Sequence, residues 1–173
     1  MWIMNESIDK MASNVVKLLS EKGKKAATAE SCTGGLVSAA ITSVSGSSEV
    51  FEMGVCSYAN RIKQEVLGVT ADALEKYGAV SEQVAKEMAW GVMERSGSDF
   101  GVSATGIAGP SGGTEEKPVG TVWIGICSRG SCRAERFLFG VKDCPKDLTE
   151  REYIRRQAVC KALELLRDEI ENT

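Results

Sequence analysis

Apolar residues Ile8, Met11, Val15, Val16, Leu18 and Leu19 recur at helical spacing, which predicts an amphipathic helix over about residues 6–22 that stops at Gly23. A strand is expected through 25–29. The small-residue run Leu36 to Ile41 reads as a second helix opening from Gly34-Gly35 and broken by the polar cluster at 45–48. Residues 51–58 give the next strand and 60–67 a short helix closed at Gly68. Thr70 caps a further turn or two through Lys76, and Ser81 is the N-cap of a long helix with Val84, Met88 and Val92 on one face and Gly97 at its end. An apolar strand over 99–104 runs into a long glycine-rich loop at 105–120. Strands at 121–127 and 132–139 flank Ser128-Arg129-Gly130-Ser131 and read as a hairpin. A last helix starts near Asp147 and carries Ile154, Ala158, Ala162 and Leu165 inward. Strands alternating with helices early and a hairpin late predict an α/β fold: a single three-layer α/β/α domain over 1–173, with a mixed sheet of about five or six strands.

Composition narrows the function classes. A chain of 173 residues with 43% hydrophobic content forms one domain with a real core. A formal charge of −3 supplies no global basic field, so nucleic acid is not an expected partner. No run approaches the roughly 18 apolar residues of a membrane span, and no secretory signal is evident, so a cytoplasmic protein with reduced thiols is expected. The six cysteines form no C-x-x-C elements. Cys127 and Cys132 flank the hairpin turn, which makes a cross-strand pair conceivable, but free small core residues are the preferred reading. With no histidine and no thiolate quartet, no protein-held zinc site is expected.

The missing histidine also decides which catalysis is open to Ser31, the serine of Ala29-Glu30-Ser31-Cys32-Thr33-Gly34-Gly35. A serine hydroxyl needs a base, and without imidazole that base is a lysine, a carboxylate or a terminal amine. Ser31 would follow the first strand close to a helix start, where backbone N–H groups favour an oxyanion; capping by Ser31 and Thr33 explains the same segment equally well. Cys32 is a weaker rival nucleophile, having no histidine to hold a thiolate pair. Lys63 is a candidate base if burial lowers its pKa, and otherwise a solvated surface charge. The 105–120 loop either cradles a phosphate or heterocycle on exposed N–H groups or is a mobile surface loop. Arg151, Arg155 and Arg156, with Lys142 and Lys146 nearby, form either a solvated helix face or a phosphate site.

Ala29 to Gly35, Tyr58-Ala59-Asn60 with Lys63, Gly78-Ala79-Val80-Ser81, Thr105-Gly106-Ile107-Ala108-Gly109-Pro110 with Gly112-Gly113, and Glu116 to Val122 together resemble the CinA carboxy-terminal domain family, in unbroken order over nearly the whole chain. The resemblance implies a nicotinamide-nucleotide amidase of the stand-alone form, hydrolysing the carboxamide of nicotinamide mononucleotide to nicotinate mononucleotide and ammonia. It implies Ser31 as nucleophile with Tyr58 and Lys63 as activating partners. Backbone N–H groups around Cys32, Thr33, Gly34 and Gly35 would hold the oxyanion. Asn60, Thr105, Gly106, Gly109, Gly112 and Gly113 would enclose the nucleotide, with Arg155 or Arg156 on its phosphate. This scheme needs no metal or organic cofactor, and a homo-oligomer is expected. The competing readings are a nucleotide-binding or competence-associated accessory domain without turnover and, more weakly, a serine-lysine peptidase.

Overall fold

The computed structural model describes residues 2–173, with side chains from Ser7 onward. In chain order the elements are α1 (Trp2–Lys22), β1 (Ala26–Glu30), α2 (Leu36–Thr42), a 3-10 turn (Ser47–Glu49), β2 (Phe51–Cys56), α3 (Asn60–Leu67), α4 (Ala71–Tyr77), α5 (Glu82–Ser96), β3 (Phe100–Gly106), β4 (Thr121–Ser128), β5 (Ser131–Leu138) and α6 (Glu150–Asn172). The five strands form one sheet in the order β2-β1-β3-β4-β5. β1 pairs in parallel with β2 and β3, whereas β3–β4 and β4–β5 are antiparallel, which makes the sheet mixed as expected.

Alternation along the strands feeds two cores. Ala26, Phe100, Val102, Ala104, Val122, Ile124 and Ile126 pack with Val15 and Leu19 of α1, Val37 and Ile41 of α2 and Ile154, Ala158 and Leu163 of α6. Ala27 and Ala29 face the opposite way, onto Leu67 of α3, Ala73 of α4 and Val84, Met88 and Val92 of α5. Neither face of the sheet is wet at β1 and β3, which explains why these two strands read as nearly continuous apolar runs. On the α5 side the fit is close. Ser103 Oγ donates to Ala85 O at 2.6 Å, and a Cβ on Gly125 would stand 2.4 Å from that same carbonyl oxygen, so only glycine lets α5 lie this near β4.

Local signals fix the helix ends. Thr70 Oγ1 accepts from Ala73 N at 3.1 Å and Ser81 Oγ from Val84 N at 3.4 Å. Several boundaries differ from expectation, among them the end of β2, which stops at Cys56 and not at 58. α1 begins at Trp2, since no helix breaker precedes Ile8. α6 begins at Glu150 because Thr149 and Glu152 form a reciprocal capping box. β3 extends to Gly106, where Thr105 and Gly106 pair with Trp123 and Val122, so the glycine-rich loop proper is 107–120. The hairpin turn is the two-residue Arg129-Gly130, closed by Ser128 opposite Ser131. That register sets Cys127 directly across from Cys132 with Cα atoms 4.1 Å apart, and the two are disulfide-bonded, which corrects the preferred reading of free core thiols.

Because β1, β2 and β3 are parallel, their carboxyl ends lie at one edge of the sheet, with β1 between the other two. The turns after all three strands converge there, at the point where open α/β sheets place ligands.

Candidate active site

Ser31 follows β1 directly, and its N–H donates to Ala104 O of β3 at 2.9 Å, which extends the parallel ladder one residue and fixes the backbone of the turn. On the other side Ser57 N donates to Glu30 O at 2.8 Å, so the turn after β2 is held just as firmly. Lys63 and Leu67 are the buried positions of α3, four residues apart on its inner face. Lys63 is only 1% exposed, yet it has polar company: its Nζ lies 3.2 Å from Ser31 Oγ, 2.7 Å from Ser57 O and 3.4 Å from Tyr58 O.

These three neighbours suit a neutral amine, which donates two N–H groups to the carbonyls and keeps its lone pair for the Ser31 hydroxyl. They suit the ammonium too, which donates to all three. Burial lowers the Lys63 pKa below its ordinary 10.5, and among the described residues no carboxylate lies within ion-pairing distance to restore it. The one opposing influence is Cys32, whose own thiol is pushed up to about 12 by burial and therefore stays uncharged at neutral pH. The geometry can thus move a proton from Ser31 Oγ to Lys63 Nζ within ordinary hydrogen-bond reach, and it leaves Cys32 an inert neighbour.

Glu30 does work that the sequence did not disclose. It is 1% exposed, and its carboxylate accepts from Gly35 N at 2.9 Å, Val37 N at 3.0 Å, Ser38 N at 2.8 Å and Ser38 Oγ at 2.7 Å. The first amides of α2 are therefore occupied internally, so the start of that helix does not offer an oxyanion site. The turn before it differs: the amides of Cys32, Thr33 and Gly34 have no oxygen acceptor among the described residues, and those of Cys32 and Thr33 face the buried Cys32 sulfur. Gly34, at φ 60°, makes this reversal without a Cβ penalty.

A cavity of about 220 Å³ opens beside the pair. It is lined by Ser31, Cys32 and Tyr58, by Gly106 to Gly109 with Ser111 and Gly112 from the loop, and by Arg151 from the first turn of α6. The loop is pinned, with Lys117 Nζ donating to Tyr77 O at 2.8 Å, Gly120 N to Ile107 O at 2.8 Å and Arg151 Nη1 to Gly109 O.

Several expected ligands sit elsewhere. The Tyr58 ring is 70% exposed and its hydroxyl is 3.4 Å from Arg151 Nη2; only its carbonyl approaches Lys63, so the phenol does not bridge the pair. Thr105 is buried and its Oγ1 donates to Ala79 O at 2.8 Å, which ties β3 to the segment before α5. Asn60 is exposed and lies outside the cavity lining. Gly113 packs on the loop itself, where a Cβ would stand 2.8 Å from Val119 N. Thr33, Gly34 and Gly35 shape the nucleophile turn without lining the cavity, and neither Arg155 nor Arg156 lines it. Arg155 instead turns back on that turn, with Nε donating to Cys32 O at 3.0 Å and Nη2 to Thr33 O at 2.8 Å. Arg151 takes the cavity position. The sequence grouped it with the other arginines, and its place one helical turn nearer the start of α6 is the signal that separates it.

Among the described residues no group of histidine, cysteine, aspartate or glutamate side chains could hold a metal ion, and no helix is long and apolar enough to cross a membrane. Known proteins resemble this chain in sequence and in fold. The chain is 50% identical over 157 residues to a CinA-like protein of Akkermansia muciniphila, covering 90% of this chain and 37% of that protein. It is 46% identical over 166 residues to a CinA-like protein of Synechocystis, covering 95% of this chain and 38% of that protein. The chain thus spans well under half the length of these curated relatives. Among solved structures, a competence/damage inducible protein from Agrobacterium tumefaciens superposes with TM-score 0.87 at 38% identity, covering 95% of this chain and 96% of that one. A CinA superfamily protein from Klebsiella pneumoniae gives TM-score 0.87 at 31% identity, covering 96% and 99%. The sequence model of the CinA C-terminal domain matches residues 8–170, and on this evidence the chain belongs to the CinA C-terminal domain family.

Proposed function

We propose that this domain is a nicotinamide-nucleotide amidase, converting nicotinamide mononucleotide and water to nicotinate mononucleotide and ammonia through a serine-lysine acyl-enzyme. The observation that carries the reading is the 3.2 Å approach of a buried lysine amine, its pKa lowered by desolvation, to the hydroxyl of Ser31. Ser31 Oγ attacks the carboxamide carbon and Lys63 takes its proton. The oxyanion is held by the amides that follow Ser31, beginning with that of Cys32, which lines the cavity; one such donor is typically worth about 3 kcal/mol. Lys63 then returns the proton to the leaving nitrogen, and ammonia departs from an ester on Ser31. Water attacks that ester, giving a proton to Lys63 that is passed back to Ser31 Oγ as the acid leaves.

The cavity supports a nucleotide-sized ligand with one anionic end. Ser31 lies in its lining, Tyr58 offers an aromatic face for a pyridine ring, and Arg151 is the cation placed to meet a phosphate. Ammonia release from purified protein with nicotinamide mononucleotide, lost in Ser31→Ala, is the deciding assay. Tight binding without turnover would replace this reading with a nucleotide-binding accessory role, a reading in keeping with relatives named as putative competence-damage inducible proteins.

A further inference from the structure

We propose that Arg155 is the positioning residue of the oxyanion-binding turn and not a ligand of the substrate's phosphate; the inference rests on the amidase reading. From α6 its planar guanidinium places Nε 3.0 Å from Cys32 O and Nη2 2.8 Å from Thr33 O, so two donors of one rigid fork hold two consecutive carbonyls. In a trans peptide the C=O and N–H point in opposite directions. Drawing Cys32 O and Thr33 O toward α6 therefore turns the N–H groups of Thr33 and Gly34, the other halves of those two peptide units, away from it.

The amides on either side are already committed, Ser31 N to Ala104 O and Gly35 N to Glu30. What remains between them is a short run of N–H groups with no oxygen acceptor immediately after the nucleophile, their peptide units held by one cation. The positive charge on the carbonyl side also polarises both peptide units and strengthens their N–H groups as donors. Nη2 would lie 3.2 Å from a Cβ on Gly34, so the guanidinium is seated against the turn itself. A phosphate ligand would have to draw Arg155 off both carbonyls, whereas Arg151 already lines the cavity.

The test measures Ser31 reactivity independently of the physiological substrate. A fluorophosphonate is attacked by Ser31 Oγ: the O–P bond forms, P–F breaks, fluoride leaves and Lys63 takes the hydroxyl proton. The resulting phosphonyl oxygen sits where the oxyanion would. Arg155→Ala should label roughly 100-fold more slowly, as a small misplacement of catalytic groups does, and sub-denaturing guanidinium should restore much of the rate. Arg155→Lys, which keeps the charge but loses the fork, should fall between, and it carries the test if Arg155→Ala does not fold. With nicotinamide mononucleotide, kcat should fall while KM stays within a few-fold. Unchanged labelling, or a raised KM for the mononucleotide alone with kcat intact, overturns the proposal and returns Arg155 to the phosphate. A wild type whose Ser31 does not label overturns it too. Arg155-dependent labelling in a protein that releases no ammonia leaves Arg155 standing and removes only the amidase reading.

Discussion

Lys63 Nζ approaches Ser31 Oγ to 3.2 Å with only two backbone carbonyls, those of Ser57 and Tyr58, as its other polar contacts. A lysine paired with a carboxylate would be locked as an ammonium. Here the carbonyl dipoles satisfy its N–H groups without holding its charge, and desolvation does the rest. Ser31 and Lys63 are thus a pair without a third charged member among the described residues.

Amide hydrolysis should therefore rise with pH along a single ionisation and level off on the alkaline side, with the inflection below 10.5 because burial lowers Lys63. Lys63→Arg keeps the charge but cannot give up its proton, so it should be nearly as inactive as Lys63→Ala. An active Lys63→Arg enzyme with an unshifted kcat–pH profile would remove Lys63 as the base.

The same burial predicts a stability effect that follows pH in the same direction as activity. A lysine whose folded-state pKa is lowered binds fewer protons folded than unfolded between that value and 10.5, so its contribution to stability rises with pH across this window and is unfavourable below it. Lys63→Met, similar in volume and uncharged, should raise Tm at neutral pH, and the gain should shrink as pH rises toward 10.5. Thermal denaturation of both proteins across pH checks it.

Ser31→Ala should abolish turnover in a folded protein, while Cys32→Ala should keep most of it, because a thiol pushed up to about 12 has almost no thiolate at neutral pH. Activity should need no reductant. A greater loss in Cys32→Ala than in Ser31→Ala would shift the nucleophile to sulfur.

Arg151→Gln should raise KM for nicotinamide mononucleotide about 10- to 100-fold, the value of a charge-assisted bond to an anion, with little effect on the riboside. Tyr58→Phe should leave the pH profile in place, since the phenol contacts Arg151 and not Lys63. A kcat collapse in Tyr58→Phe would make the phenol a proton carrier after all.

Glu30→Ala strips the acceptor from the amides of Gly35, Val37 and Ser38 at once. The loss should be about 3 kcal/mol, lowering Tm by roughly 6–12 °C in a protein of this size. Glu30→Gln, which keeps the shape but sets an NH₂ against those donors, should lose less. Urea titration of the three proteins ranks them.

Helices and strands were legible because their punctuation is local: Gly68, Thr70, Ser81 and Gly97 act within a few residues of themselves. The misread end of β3 came from pairing partners distant in sequence, where Trp123 and Val122 draw Thr105 and Gly106 into the strand. The cross-strand cysteines show the same limit, since their pairing follows from hairpin register, which a turn one residue longer would have changed. At the site, family motifs named Ser31 and Lys63, but the roles of Glu30, Arg151 and Arg155 depend on which way a side chain turns in three dimensions. Glu30 left one trace in the sequence, an acid five residues ahead of the Gly35 that opens α2.

Ser31 and Lys63 both come from the first 63 residues, yet the turn beside them is gripped by Arg155 on the last helix. During synthesis Ser31 and Lys63 emerge well before α6, so for that interval the two reactive groups exist without the clamp that aligns their oxyanion turn. The grip of Arg155 on that turn therefore forms only once α6 has docked and the chain has closed on itself.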